Sequence, residues 1–200
     1  MEERPATRRG PRGRGADTRG AVLDAARARF AAHGYDGTRL RDVAADAGVD
    51  VALVSYHFGS KDGLFTAALA LGINPAQLVE DLLRDGIDGL GERLVRRLVA
   101  LLDAQPGGPL VALVRSAATN ERAAAVLREF VEREVLGRLA AAIEADRADL
   151  RAALCGSQVV GLVMARRVVG VRALAQADAD TLAAAVGPTL QRYLTGAVAT

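Results

Sequence analysis

Two histidines, His33 and His57, one cysteine, Cys155, and 24 carboxylates are the first side chains of this 200-residue sequence to weigh for acid–base or nucleophilic chemistry. Their spacing does not assemble a catalyst. No Cys/His cluster has metal-ligand spacing, no glycine loop is built to cradle phosphate, and no Ser/His/Asp order suggests an activated nucleophile. An enzyme built on a helical bundle would need a carboxylate pair such as Glu132 with Asp149. Glu129, Glu132 and Glu134, however, alternate with Arg128 and Arg133, and a solvated helix face explains them. No catalytic residue, cofactor or metal is therefore expected. What remains is recognition of a polyanion. Residues 1–61 hold 11 basic and 8 acidic residues, net +3, whereas residues 62–200 hold 15 and 16, net −1. Positive charge thus gathers at the N-terminal end. Of the 26 basic residues 25 are arginine, and Lys61 is the one lysine. Arg4, Arg8, Arg9, Arg12 and Arg14 fit equally a solvated tail and an arm on phosphates or in a minor groove.

The elements that must position these groups read as helices. Half of the chain is hydrophobic, mostly Ala, Leu and Val, with 4% aromatics and no tryptophan. That favours close helix packing through small side chains. Residues 1–16, rich in Arg, Pro and Gly, cannot bury apolar area and are expected to be a disordered basic arm. Val22, Leu23, Ala26 and Phe30 mark a first helix, with Gly34 as its C-cap. Thr38 is expected to cap a second helix carrying Leu40, Val43 and Ala44, broken at Ala47-Gly48. Asp50 caps a third over residues 51–57, and Ser60 caps a fourth ending near Gly72. These make a head over residues 17–72. The body, residues 73–200, predicts helices over 75–85, 90–104, 109–118, 120–147 and 149–170, then Asp178 to Leu194 with a kink at Gly187-Pro188. No period-2 strand signal or internal repeat appears. The lone cysteine fits a reducing cytoplasm, no signal peptide opens the chain, and Arg166 and Arg167 interrupt the apolar stretch Gly161–Val171. No membrane partner is expected.

A helix-turn-helix needs a small residue where its two helices cross, a glycine with positive φ in the turn, and apolar anchors on either side. Ala44, Gly48, Val43, Val49 and Val54 meet these needs, leaving the outer face of Val51–His57 free for a major groove about 12 Å wide. The segments Gly34-Tyr35-Asp36-Gly37-Thr38, Asp42-Val43-Ala44-Ala45-Asp46-Ala47-Gly48-Val49 and Tyr56-His57-Phe58-Gly59-Ser60-Lys61-Asp62-Gly63-Leu64-Phe65 resemble the DNA-binding signature of TetR/AcrR-type transcriptional regulators. The resemblance covers about residues 18–70. It is looser in the body, in Phe130–Leu136 and Pro188–Leu194, which look like the actinobacterial type of C-terminal domain. It implies an all-α fold, with a three-helix helix-turn-helix DNA-binding head and a helical-bundle regulatory and dimerisation body. It also implies that Thr38, Tyr56, His57 and Lys61 contact phosphates while Val51, Ala52 and Ser55 face base edges. Ser55 departs from the aromatic that many members carry, so a small polar contact is expected there. Arg39 and Arg41 are candidates for backbone or base contacts, since arginine bonds guanine bidentately and neutralises phosphate. Outside the signature His57 would read as a structural histidine. Tyr35 and Phe58 read as core.

The stretch Leu150–Val169 is apolar around most of its circumference and must be covered on more than one side. With the last helix it is expected to form half of a four-helix homodimer interface through Leu150, Leu154, Gly161, Met164, Leu182 and Leu190, as the resemblance implies. Intrachain core alone is the other reading. Two heads about 34 Å apart would read a palindromic operator in double-stranded DNA. Leu110, Val114, Phe130, Val131 and Met164 are candidate linings for a small apolar effector, and each is equally explained as core. Cys155, among Ala152, Ala153, Leu154 and Gly156, reads as an inert buried thiol rather than a redox sensor. The expected function is a ligand-responsive repressor in the cytoplasm. A sequence-tolerant chromosome-binding protein is the alternative that a salt titration would separate.

Overall fold

The computed structural model describes residues 14–72 and 74–198, and among these every regular element is helical. Residues 1–13 of the expected arm lie outside the described residues. Its last residues already belong to the first helix, α1 (Arg14–Gly37). The chain leaves helical geometry at Gly34, where φ is 68° and only glycine is comfortable, as the C-cap reading expected. The head continues through α2 (Leu40–Asp46), α3 (Val51–Phe58) and α4 (Lys61–Gly72). Val22, Leu23, Ala26 and Phe30 of α1, Val43 and Ala44 of α2, Val54 of α3, and Leu64 and Phe65 of α4 close one core. The rings of Phe30, Tyr35 and Phe65 meet there, with Phe65 edge-on to Phe30 at 4.8 Å and to Tyr35 at 5.1 Å.

The body comprises α5 (Pro75–Leu83), α6 (Leu90–Ala104), α7 (Pro109–Thr119), α8 (Glu121–Val131), α9 (Gly137–Ala141), α10 (Ala148–Val163), α11 (Arg172–Gln176) and α12 (Ala179–Thr195). Two π-helical turns, Glu132–Leu136 and Met164–Val169, continue α8 into α9 and extend α10. The helix expected over 120–147 is corrected: it ends at Ala141, because Ile143 turns inward to be buried and Arg147 takes a left-handed φ of 54°. The expected 149–170 helix gains the second π turn, and α11 follows it as an element the sequence reading did not separate. The last helix runs on through Pro188.

α6 and α12 cross at a glycine pair. A Cβ on Gly91 would lie 2.2 Å from the Gly187 carbonyl oxygen, and one on Gly187 would lie 2.9 Å from the Cα of Glu92. Only hydrogen fits. Gln191 then serves the start of α6, accepting from the Gly91 N–H at 3.1 Å and donating to the Ile87 carbonyl at 3.0 Å. Two buried arginines serve helix ends. Arg151 donates to the carbonyls of Tyr193 and Gly196, both at 2.8 Å, and Arg166 to those of Leu174 and Ala177 while pairing with Asp103. An 18-residue window of the run Ala148–Val169 has a mean hydropathy of 1.4, enough by length and composition to cross a membrane, and 28% of it is buried. Its two buried arginines are bonded to α11 and to the end of α12 within the bundle.

Head and body share apolar side chains. Leu113 of α7 and Ala123 and Phe130 of α8 join the head core, whereas Val111 and Val114 of α7 join the body core.

Candidate nucleic-acid interface

The turn between α2 and α3 is set by Gly48, whose φ of 67° lets the Val49 N–H return to the Ala44 carbonyl at 3.0 Å. Asp50 caps α3, accepting from the Ala52 N–H at 2.7 Å, as expected. Helical periodicity then divides α3. Val54 points into the core and Ala52 and Tyr56 lie opposite it, while Val51 and Ser55 flank the exposed side, with Val51 42% and Tyr56 83% exposed. His57 is half-buried with its ring beside those of Tyr56 and Phe58.

α4 starts where expected, with Ser60 accepting from the Gly63 N–H at 3.1 Å. A Cβ on Gly63 would meet the Phe58 carbonyl oxygen at 2.1 Å, so this glycine fixes how α3 meets α4. The sequence reading had assigned it no role. Arg39 and Arg41 are exposed at the start of α2, Arg41 in a loose 3.6 Å pair with Asp42. Arg29 grips Asp46 with two bonds of 2.5 and 2.8 Å. That hydrogen-bonded guanidinium holds the Asp46 carboxyl below its ordinary range and neutralises an acid on the flank of the face.

Thr38 requires a correction. It is 1% exposed and its hydroxyl donates to the Gly34 carbonyl at 2.8 Å, so its side chain ties the α1–α2 turn rather than facing a phosphate. Nor does it cap α2: that position is taken by Arg39, without a side-chain cap. Lys61 lies with its ammonium 4.4 Å from the Tyr35 ring centre and 3.4 Å from the Asp36 carbonyl oxygen. Partial burial pulls its pKa below the usual lysine value, with Asp36 acting in the opposite sense.

The sequence reading also missed the seam beneath the interface. Asp62 accepts two bonds from Arg122 of α8, from Nε at 3.1 Å and from Nη2 at 3.0 Å, and also the hydroxyl hydrogen of Tyr35. Asn120 caps α8 through the Ala123 N–H and donates to Asp36 at 2.6 Å. Partners 60 and 84 residues apart left no local signal.

The remaining expected sites fall into three groups. Leu150 and Gly161 of α10 are exposed, Gly161 with open space where a Cβ would stand, and Leu154 is half-buried. Leu182 and Leu190 are corrected as direct interface side chains, because they are 3% and 1% exposed and fill the protomer's own core. Met164, Leu110 and Val114 pack with that body core, whereas Phe130 and Val131 pack with the head core. Among the described residues no group of three His, Cys, Asp or Glu side chains is placed to hold a metal.

A capped, glycine-turned helix pair with one exposed face, carried on an all-helical body, is the build of a helix-turn-helix transcriptional regulator. Residues 22–68 match the family model of bacterial regulatory proteins of the tetR family, and residues 88–194 match that of the tetracyclin repressor-like C-terminal domain. The chain belongs to the TetR family of transcriptional regulators, which are not enzymes. It is 40% identical over 118 residues to the HTH-type transcriptional repressor Rv3405c of Mycobacterium tuberculosis, a match covering 55% of this chain and 61% of that protein. The match thus spans about three fifths of its relative's length. Its fold is similar to that of a TetR-family regulator (SCO0857) from Streptomyces coelicolor, with a TM-score of 0.70, 37% identity, and 94% and 99% of the two chains covered. NalD, the secondary repressor of the MexAB-OprM multidrug efflux pump in Pseudomonas aeruginosa, shares the fold at a TM-score of 0.67 and 22% identity, with 90% and 96% covered.

Proposed function

We propose that the chain is a cytoplasmic, dimeric repressor that binds a palindromic operator through the major groove and leaves it when a small apolar molecule binds the body. The observation that carries the reading is the division of α3, with Val54 in the core and Val51, Ala52, Ser55 and Tyr56 left outside on a capped helix. Val51, Ala52 and Ser55 face base edges, Tyr56, His57 and Lys61 serve phosphates, and Arg39 and Arg41 flank them. Lys61 must exchange its ring and carbonyl partners for a phosphate, which a stronger, charged acceptor favours. Leu150, Val160 and Gly161 supply an exposed, largely apolar strip on α10 that a second copy covers. α7, with side chains in both cores, is the route from effector to head. A coupling of about 1–3 kcal/mol suffices to change operator affinity roughly 5–150-fold.

The test is selection of bound duplexes from random-sequence DNA at physiological salt, with the wild type and with Lys61→Ala and Ser55→Ala. A palindromic site is expected, weakened uniformly by the first variant and relaxed at particular bases by the second. Recovery of no preferred site overturns the reading in favour of sequence-tolerant binding.

A further inference from the structure

We propose that α3 reads its half-site through thymine methyl groups, so that the bases opposite its N-terminal turn are selected by apolar contact rather than by hydrogen bonds. The inference rests on the operator-binding reading above. Bidentate readout in the major groove uses Arg or Lys on guanine and Asn or Gln on adenine. α3, with sequence Val-Ala-Leu-Val-Ser-Tyr-His-Phe, contains none of these four. Asp50, the acid at its start, has one carboxylate oxygen committed to the Ala52 N–H.

The N-terminal residues of a recognition helix are those that reach base edges, and here they are Val51 and Ala52, both exposed. The feature of a major groove that an aliphatic side chain can select is the thymine C5-methyl. Ser55, a turn further along, adds one hydroxyl that donates or accepts at its own base and leaves the bases under the N-terminal turn to apolar contact. Tyr56, one turn from the helix start, has the reach for a phosphate. Any guanine in the half-site is then read from the flank, by Arg39 or Arg41 at the start of α2. The operator is expected to carry thymine at one or two positions per half-site under α3, with guanine only outside them.

Deoxyuridine removes the methyl and keeps every hydrogen-bonding group of thymine, and 5-methylcytosine restores a methyl in a different base pair. Duplexes carrying the selected site, with single thymines replaced by deoxyuridine, are titrated with the full chain. Each methyl under α3 is worth about fourfold in affinity, and a symmetric pair about fifteenfold. At the same position 5-methylcytosine is expected to bind more tightly than cytosine. With Val51→Ala and Ala52→Ser combined, the penalty for deoxyuridine is expected to shrink to less than about twofold. A well-defined palindrome that tolerates deoxyuridine at every thymine overturns the inference and leaves the operator reading standing. So does a penalty that persists undiminished in the double variant, which assigns it to DNA shape. Selection of no preferred site overturns both.

Discussion

Removing Asp62 tests whether the seam acts through a buried hydroxyl or through its visible ion pair. Asp62 accepts from the Tyr35 hydroxyl and from Arg122, yet the two partners differ in burial: Tyr35 is 4% exposed and the Arg122 side chain 73%. An exposed guanidinium is hydrated before and after the pair breaks, so Arg122→Ala is expected to leave the unfolding midpoint essentially unmoved. Asp62→Ala strands the Tyr35 hydroxyl away from water, which costs about 1–3 kcal/mol. In a chain of this size that lowers the midpoint by roughly 2–4 °C for each kcal/mol. Tyr35→Phe in the Asp62→Ala background removes the stranded group and keeps the ring against Phe65 and Lys61, so most of the loss should return. The assay is thermal unfolding of the four proteins followed by circular dichroism. The reasoning is refuted if Arg122→Ala is as damaging as Asp62→Ala, or if Tyr35→Phe recovers nothing.

Gly187→Ala places a Cβ within 3 Å of Glu92 at the α6–α12 crossing and should cost about 1–3 kcal/mol in chemical denaturation, without the slope change that a loosened native state would give. Val160→Arg, at a position 46% exposed on α10, should convert the proposed dimer to a folded monomer in sedimentation, and a dimer that survives would move the interface elsewhere. Asp178 is held below the ordinary carboxylate range by accepting from Thr181 at the start of α12. A depressed folded-state pKa contributes stability that is complete above the unfolded value and is lost as pH falls through the folded one. Asp178→Asn should therefore lower stability near neutral pH and shrink the gap to the wild type on acidification below about pH 4. A constant gap across that range would discard the cap as its source. Burial pushes the Cys155 thiol up to about 11, so a disulfide reagent should modify it only as fast as the body unfolds.

The head was legible in the sequence because its signals are local. Asp50 and Ser60 cap the helices they precede, and Gly34 and Gly48 hold the positive φ angles their turns need. Thr38 misled for a local reason as well: a threonine before an apolar run looks like a cap, but the bond it makes runs backwards across the turn to Gly34. In the body the alanine-rich run after Leu139 supports continued helix, and it is the burial of Ile143 and the left-handed turn at Arg147 that end it. The π turns at Glu132–Leu136 and Met164–Val169 shift the register by a residue, which a periodicity of 3.6 does not register. For Leu182 and Leu190 periodicity marked an apolar face correctly but could not say which chain covers it. Asp62 with Arg122, and Asp36 with Asn120, exist only once the fold has brought α8 beneath α4.

That same α8 and its neighbour α7 explain why the proposed response needs no large motion. Leu113 and Val114 are consecutive residues of α7, about 100° apart around the helix, and they enter the head core and the body core respectively. A molecule that displaces Val114 and Val111 cannot do so without turning or sliding Leu113 within the head core, because packed interiors accommodate little shear. The polar seam resists such a slide at its edge, since Asn120 both caps α8 and holds Asp36, one residue after the buried Tyr35. Tyr35 in turn carries Lys61, the cation proposed for phosphate. A displacement of α7 is therefore expected to reach Tyr35 by two routes, at its ring through the head core and at the adjacent Asp36 through Asn120.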